Sequence, residues 1–206
     1  GDYVIAINGA EPADILDWQL AESDEELILT IQHQDGELVE YEIEKDYDET
    51  LGIIFASPTL DRLRICQNRC LFCFVDQMPP QLRQTLYIKD DDYRLSFLTG
   101  SYITLTNLRE EDLERIIRLH LSPLYVSVHA TDPELRRRLM NHRRAGELLS
   151  VMQRLVAAGI QFHTQVVLCP GLNDGEALEQ TIADLFALYP AVQTLAVVPV
   201  GLTGYR

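Results

Sequence analysis

The chain has 206 residues, of which 47% are hydrophobic and 24% charged, and its formal net charge at pH 7 is -15. This composition provides enough apolar material for one large folded domain or two small ones. No stretch approaches the roughly 20 consecutive apolar residues of a membrane span, and the N-terminus lacks the basic-then-apolar pattern of a signal peptide. We therefore expect a cytoplasmic protein that does not associate with a membrane.

Half of the acidic residues lie in the first quarter of the chain. Residues 1–50 hold 16 of the 32 Asp and Glu residues, whereas Lys45 is the only one of the 17 Lys and Arg residues found there. Excess negative charge repels phosphate backbones, which disfavours sequence-independent nucleic-acid binding by this part. The remainder is balanced, and its basic stretch at 136–144 is either a solvated helix face or a local contact for an anion or RNA.

Residues 1–57 are predicted to form a small acidic α+β module. A strand and an Asn8-Gly9 turn are followed by a helix from about Pro12, and two stretches of alternating apolar and polar residues, at 26–33 and 37–45, predict a β-hairpin. The stretch "GDYVIAINGAEPADILD" resembles the middle of a bacterial PDZ-like domain. The resemblance implies that the chain begins inside such a domain, without the strand and loop that shape its groove, so we expect no peptide binding.

A boundary near residues 57–60 starts the second predicted domain, residues 58–206, in which strands and amphipathic helices alternate. The helices are predicted at 109–121 with Asn107 as N-cap, at 146–159 ending at Gly159, and at 174–189 capped by Asn173 or Asp174; the strands are predicted at 122–130, 160–168 and 192–201. Such alternation is typical of right-handed βαβ units and a parallel sheet, either open or curved into a barrel. Ligands of these sheets bind at the carboxyl ends of the strands.

Three of the four cysteines, Cys66, Cys70 and Cys73, follow a predicted strand at 61–65 with the spacing C-x3-C-x2-C. A disulfide would leave one odd thiol in a compartment that we expect to be reducing. A zinc site or an electron-transfer cluster would need a fourth ligand, such as Cys169 or a histidine like His129.

A fourth hypothesis explains why there are three thiols. Three thiolates can hold three irons of a 4Fe-4S cluster and leave one iron with an open coordination position, as a catalytic zinc site does. The amine and carboxylate of S-adenosylmethionine (SAM) could chelate that iron, and the cofactors would then carry the difficult chemistry.

The stretch "CQNRCLFC", residues 66–73, resembles the signature of the radical SAM superfamily. Later stretches, among them "LYVSVHATDPELR" and "VVLCPGLND", are similar to uncharacterised Fe-S oxidoreductases in which a PDZ-like module precedes a radical SAM barrel. The resemblance covers nearly the whole chain and implies a partial (βα)6 TIM-like barrel over residues 58–206. It also implies a further C-terminal domain, so that the chain would be truncated at both ends.

The same resemblance implies the activity and its cofactors. A 4Fe-4S cluster on Cys66, Cys70 and Cys73 would bind SAM, receive an electron from a donor such as flavodoxin or ferredoxin, and cleave SAM to a 5'-deoxyadenosyl radical that abstracts hydrogen from an unknown substrate. Phe72 would pack near the adenine. Gly100 and Ser101, in "TGSY", would meet the SAM amino group, although the usual Glu is missing and a plain turn is the alternative.

Further site residues follow from later stretches of the resemblance. Ser127 and Arg136 are expected at the ribose and carboxylate of SAM, and Asn173 either lines the adenine or caps the next helix. Cys169 is interpreted as a buried small side chain. The charged segment at 89–94, "KDDDYR", is the candidate for substrate contact, with a solvated turn as the alternative.

Two other functions stay open from the residues alone. The first is a non-catalytic iron-sulfur electron-transfer or zinc-binding module, closed by Cys169 or a histidine. The second is a peptide-docking scaffold with a vestigial barrel.

Overall fold

Two units, Gly1–Leu63 and Arg64–Arg206, make up the chain in the computed structural model, which describes residues 1–47, 49–57 and 59–205. The predicted boundary lies a few residues earlier, and Pro58, the predicted start of the second domain, falls outside the described residues. Among the residues described, no helix has both the length and the apolar character needed to cross a membrane.

The first unit is an antiparallel sheet with one helix. Its strands pair in the order β1-β2-β3, and α1 lies between β1 and β2 in the chain. The bounds are β1 Tyr3–Ile7, α1 Ile15–Glu22, β2 Glu26–Gln32 and β3 Leu38–Glu44. The predicted hairpin is therefore confirmed, whereas the helix begins three residues after Pro12 because the carboxylate of Asp14 accepts a hydrogen bond from the Leu16 N–H.

The core of the first unit follows from the alternation in β2. Leu27 and Leu29 point to the same face and are buried with Trp18. The Trp18 ring meets the Phe55 ring edge to face, with centroids 4.9 Å apart. The segment after the hairpin is thus part of this small core.

The second unit contains a three-stranded parallel sheet in the order β4-β5-β6. Its strands are β4 Leu124–Ser127, β5 Phe162–Leu168 and β6 Val192–Pro199. Beside β4, Ile103 makes an isolated parallel bridge to Val126, which extends the sheet by a short stretch. The predicted α/β class with a parallel sheet is confirmed, while the six-stranded partial barrel stays a prediction.

Five α-helices accompany the strands described in the second unit. They are α2 Tyr93–Thr99, α3 Glu110–Arg118, α4 Pro133–Met140, α5 Leu148–Ala157 and α6 Glu176–Phe186. Gly159 follows α5 with a φ of 85°, a left-handed conformation that suits glycine, so the predicted end of this helix is confirmed.

The predicted N-cap of α3 is wrong. The helix begins at Glu110, and the N–H of Arg109 donates to the carboxylate of Asp112 at 2.8 Å. Asn107 turns away, because its amide donates to the Asp91 carbonyl at 2.8 Å.

The predicted caps of α6 are also wrong. The helix begins at Glu176, directly after Gly175. The carboxylate of Asp174 accepts from the Gly171 N–H, and Asn173 closes the preceding turn, as described below.

The segment predicted as a strand before the cysteines forms only an isolated antiparallel bridge, between Ile65 and Asp90. The side chain of Arg64 explains why the segment leaves the sheet. Its guanidinium pairs with Asp112 at 2.7 Å and lies 4.8 Å from the centre of the Tyr93 ring, so it is anchored to helices.

The ring of Phe162, fully buried at the start of β5, should contribute strongly to the stability of the second unit. We expect Phe162→Ala to lower the free energy of unfolding by about 3–5 kcal/mol, because it leaves a cavity in a packed core. Phe186→Ala is the matched control, since 76% of that ring is exposed. Urea unfolding followed by circular dichroism compares them, and equal losses would contradict the packing described here.

Candidate functional site

The loop of residues 66–73, which we call the cysteine loop, is held by backbone hydrogen bonds on two sides. The Cys66 N–H donates to the Lys89 carbonyl at 2.8 Å. On the other side, the N–H groups of Arg69 and Leu71 each donate at 2.9 Å to the last residues of α4. The loop is therefore fixed by α4, a helix far along the chain.

The three thiols of this loop are free and affect one another electrostatically. Burial, and then the charge of Asp91, raises the pKa of Cys66. Burial, and then the charges of Cys66 and Cys73, raises the pKa of Cys70 to about 12. Three thiolates at this place would therefore need a compensating positive charge.

Asn68 is a residue of the site that the sequence analysis missed. It is buried, and its amide donates to the Cys66 sulfur at 3.3 Å and to the Thr104 hydroxyl at 2.9 Å. Its carbonyl oxygen accepts from the Thr106 hydroxyl at 3.1 Å. Asn68 thus fixes the cysteine loop to residues 102–104, which we call the extended segment, and to the bend that follows it. The only signal in the sequence was an amide between cysteines and threonines at alternate positions.

The segment predicted to contact substrate is largely internal. Asp91 is buried and accepts from the Thr104 N–H at 2.6 Å and the Thr104 hydroxyl at 2.5 Å. Burial raises the pKa of Asp91, although the Thr104 hydrogen bonds and the charge of Arg136 oppose the shift. The Asp91 carboxylate therefore neither lies in a solvated turn nor is open to contact with a substrate.

Asp92 and Arg94 form a fully buried ion pair in the same segment. Nε and Nη2 of Arg94 donate to the two carboxylate oxygens at 2.9 and 2.6 Å. Burial alone would raise the pKa of Asp92, but the hydrogen bonds from Arg94 and from the Arg64 N–H outweigh it and lower the pKa. The pair stabilises the start of α2 and has no open side towards solvent.

Arg136 occupies a different place from the one that the sequence suggested. Its guanidinium is buried and donates to four backbone carbonyls at 2.6–2.9 Å. These carbonyls belong to Thr104, Ser127, Val128 and Ala145. Burial lowers the pKa of Arg136 to about 10, while the charges of Asp91 and Cys70 oppose this shift. With four donors engaged, the side chain ties strand ends together, and its contact with a SAM carboxylate stays a prediction.

Ser127 lies at the end of β4 and is partly buried. Its N–H donates to the Ile103 carbonyl at 2.7 Å and its carbonyl accepts from Arg136 at 2.8 Å. The backbone N–H and carbonyl of Ser127 are therefore engaged within the fold. The contact between its hydroxyl and SAM stays a prediction.

Asn173 closes the turn after β5. It is buried, its amide oxygen accepts from the Cys169 N–H at 2.7 Å, and its amide nitrogen donates to the carbonyls of His129 and Val167. All of its donors are used, so it holds two strand ends together and does not cap α6. Cys169 is buried as expected, in an apolar cluster that also contains Cys70.

Phe72 packs against His129 in the same region. The two ring centroids lie 4.4 Å apart, and Phe72 belongs to the apolar cluster with Cys70 and Cys169. The Val167 N–H donates to Nδ1 of His129 at 3.2 Å, which places the remaining ring proton on Nε2. Burial, and then the charge of Arg136, lowers the pKa of His129 to about 3, so the ring is neutral near pH 7.

Gly100 and Ser101 lie away from the cysteine loop. Gly100 ends α2 with a φ of 74° and sits against the Tyr125 ring, and the Ser101 hydroxyl bonds to that of Thr99. Both residues precede the extended segment, whereas the cysteine loop contacts Thr104 and Thr106 beyond Ile103. The contacts of Gly100 and Ser101 thus do not bring them to the cysteine loop, and their meeting with the SAM amino group stays a prediction.

The donor set suits an iron-sulfur cluster chemically, because soft thiolates are its usual ligands and the three thiols of the loop are free. Across residues 1–47, 49–57 and 59–205, however, no group of three or more His, Cys, Asp or Glu side chains is arranged closely enough to hold a metal ion. A bound cluster would thus draw the thiols together within a loop whose backbone is already anchored.

Comparison with known proteins adds one finding. The model of the family described as the radical SAM-like domain matches residues 45–195. No curated protein matches the chain. The matched range includes the cysteine loop, the extended segment, α4, the strands β4 and β5, and the first half of β6.

Removing the Arg136 guanidinium should strongly destabilise the second unit. We expect Arg136→Met to lower the free energy of unfolding by about 3 kcal/mol or more, because four buried carbonyls lose a charged donor. Arg138→Met, on the exposed side of α4, is the control and should change it by less than about 0.5 kcal/mol. Urea unfolding measures both values, and similar small losses would contradict the role of Arg136.

The neutral His129 ring predicts a loss of stability at low pH. The folded pKa of about 3 lies below the ordinary 6.5, so the unfolded chain takes up the proton first, and stability is lost as the pH falls from 6.5 towards 3. We expect His129→Gln to remove about 2 kcal/mol of the stability difference between pH 7 and pH 5. The exposed His120→Gln is the control, and equal effects of both substitutions would contradict this assignment.

Proposed function

This chain belongs to the radical SAM-like domain family, and we propose that it is a radical SAM enzyme whose cysteine loop holds a 4Fe-4S cluster through Cys66, Cys70 and Cys73. When bound, the cluster and SAM would supply reductive cleavage of SAM to methionine and a 5'-deoxyadenosyl radical, which abstracts hydrogen from a substrate. A donor such as flavodoxin or ferredoxin would provide the electron.

The observation that carries the proposal is the placement of Cys66, Cys70 and Cys73 in one loop that α4 anchors, inside the range matched by the radical SAM-like domain family. Cys169 follows β5 and lies outside this loop. Three protein ligands and one open position are what SAM binding requires.

The residues around the loop have separate supporting tasks. Asn68 orients Cys66 through its amide, and the positive charge of Arg136 opposes the rise in the pKa of Cys70. Phe72, Leu139 and Met140 belong to an apolar cluster that shields Cys70 from water. Buried polar and apolar groups would thus hold the backbone of the loop in place before any cofactor enters.

The contact for the SAM amino group belongs, in this proposal, to the carboxyl end of the extended segment. Leu105 and Thr106 follow Ile103 there, and Thr106 bonds to Asn68 of the cysteine loop. Ser127 keeps a hydroxyl available for the ribose. Arg136 donates to the Ser127 carbonyl and Asn173 donates to the His129 carbonyl, and these bonds hold the end of β4 in place.

One observation favours a second candidate, an electron-transfer module with four cysteine ligands. Cys169 lies in the same apolar cluster as Cys70, so a modest movement could bring it to the metal. The EPR experiment must distinguish this four-cysteine module from the radical SAM enzyme. The first unit is proposed to be a PDZ-like module without an assigned ligand.

Anaerobic reconstitution with iron and sulfide, followed by dithionite reduction and EPR spectroscopy with and without SAM, tests the proposal. We expect a reduced 4Fe-4S signal that shifts when SAM is added, and we expect Cys66→Ala to abolish it. Cys169→Ala is the matched control and should keep both the signal and the shift.

Other outcomes are equally informative. A signal that ignores SAM in the native chain but responds in Cys169→Ala would establish the four-cysteine alternative. Retention of a full cluster by Cys66→Ala would refute the ligand assignment. A native chain that binds zinc and assembles no iron-sulfur cluster would indicate that the three thiols have a structural role.

A further inference from the structure

A basic cavity of about 370 Å³ opens beside the start of the cysteine loop. Its lining includes Gln67, the neighbour of Cys66, and four basic side chains. These are Arg109, His142, Arg143 and Arg144. The volume lies in the range of small-molecule sites, and the lining predicts an anionic ligand.

Two of the three guanidinium groups keep donors available. Within the described part of the chain, Arg143 makes no side-chain hydrogen bond or ion pair, and only its carbonyl is engaged. Nε of Arg109 lies 3.6 Å from Asp112 and 3.8 Å from Glu111, which is longer than a hydrogen bond. The cavity therefore holds charged donors that the protein itself leaves unused.

Arg144 is the anchored member of the group. It donates to the Leu108 carbonyl at 2.7 Å and to the carboxylate of Glu147 at 3.1 Å. These two hydrogen bonds fix the side chain of Arg144. Its positive charge therefore stays at the cavity wall, and little side-chain entropy is lost when a ligand binds.

His142 gives an independent sign that a partner belongs here. Its Nδ1 is buried and has no hydrogen-bond partner among the residues that the structure describes. Burial, and then the positive charges of the arginines around it, lowers the pKa of His142. Buried polar atoms are seldom left unpaired. A turn of the ring that brings this nitrogen, as N–H, to the cavity would let it donate to a bound oxyanion, whose charge the surrounding arginines compensate.

The opposite wall is rigid and connects the cavity to the cysteine loop. Thr106 lines the cavity and donates its hydroxyl to Asn68, while Asn107 donates its amide to the Asp91 carbonyl. Both side chains are therefore engaged and do not compete for a ligand. A molecule bound here would contact the basic side chains and would lie next to Gln67, the neighbour of Cys66.

We propose that this cavity binds the phosphate group of a small phosphorylated substrate. The planar guanidinium groups match phosphate oxygens in a bidentate manner, as a compact ammonium would not. Carboxylates of Glu111 and Glu147 lie next to the arginines, and a long polyanion such as RNA would meet them, whereas a single phosphate would not. That the ligand is the substrate rests on the proposed function; that the cavity binds phosphate does not.

The test uses the chain without iron or SAM. It is titrated with inorganic phosphate at constant ionic strength and followed by 1H-15N NMR. We expect saturable shifts at residues 106–109 and 142–144, with a Kd in the millimolar range of about 1 mM. Arg143→Gln should weaken binding about tenfold, which corresponds to one charge-assisted hydrogen bond. Arg138→Gln removes the same charge from an exposed position on α4 and should weaken it less than about twofold.

Several outcomes would overturn the inference. Equal weakening by Arg143→Gln and Arg138→Gln would mean unspecific attraction. Displacement of phosphate by SAM would assign the cavity to the cofactor, and much tighter binding of a single-stranded RNA would assign it to nucleic acid. Should Arg143→Gln prove unfolded, Arg109→Gln replaces it with the same expectation.

The two proposals can fail separately. A chain that binds phosphate but assembles no cluster would keep the anion site and refute the radical SAM proposal. A chain whose EPR signal shifts with SAM, but whose cavity ignores phosphate, would do the reverse.

Discussion

The guanidinium of Arg136 is the group on which the arrangement around the cysteine loop depends. It joins the carbonyls of the extended segment, of the β4 end and of the short turn before α5, which belong to three separate parts of the chain. A buried charge is costly unless its hydrogen bonds are satisfied, and four carbonyl dipoles provide that compensation. The strand ends thereby become one rigid surface.

This surface sets the electrostatic conditions for the thiols. Burial favours the neutral thiol, while a nearby guanidinium favours the thiolate, and for Cys70 burial outweighs Arg136. Cys70 therefore stays protonated while no metal is bound and gives up its proton when a cation binds. The basic cavity lined by Gln67 contains a second group of positive charges, which would bind a different ligand, an anion.

The sequence predicted the features that depend on local patterns. Alternating apolar residues located the β2-β3 hairpin and the parallel strands, and the cysteine spacing pointed to the family whose model matches residues 45–195. It failed where a side chain serves a distant partner. Arg136 and Asn173 lie in the expected stretches but bind carbonyls across the fold, and no pattern in one sequence reveals such partners. Gly100 matched the pattern of a strand end but ends α2, because a helix end and a strand end share the same glycine signal.

The attachment of the cysteine loop to α4 has a consequence for biosynthesis. Leu71 takes its backbone partner from Leu139, almost seventy residues further along the chain. Residues 66–73 are therefore made well before the structure that orders them, and they stay a flexible segment of oxidisable thiols until α4 has left the ribosome and folded. Delivery of a metal cofactor to this chain must then follow the synthesis of α4.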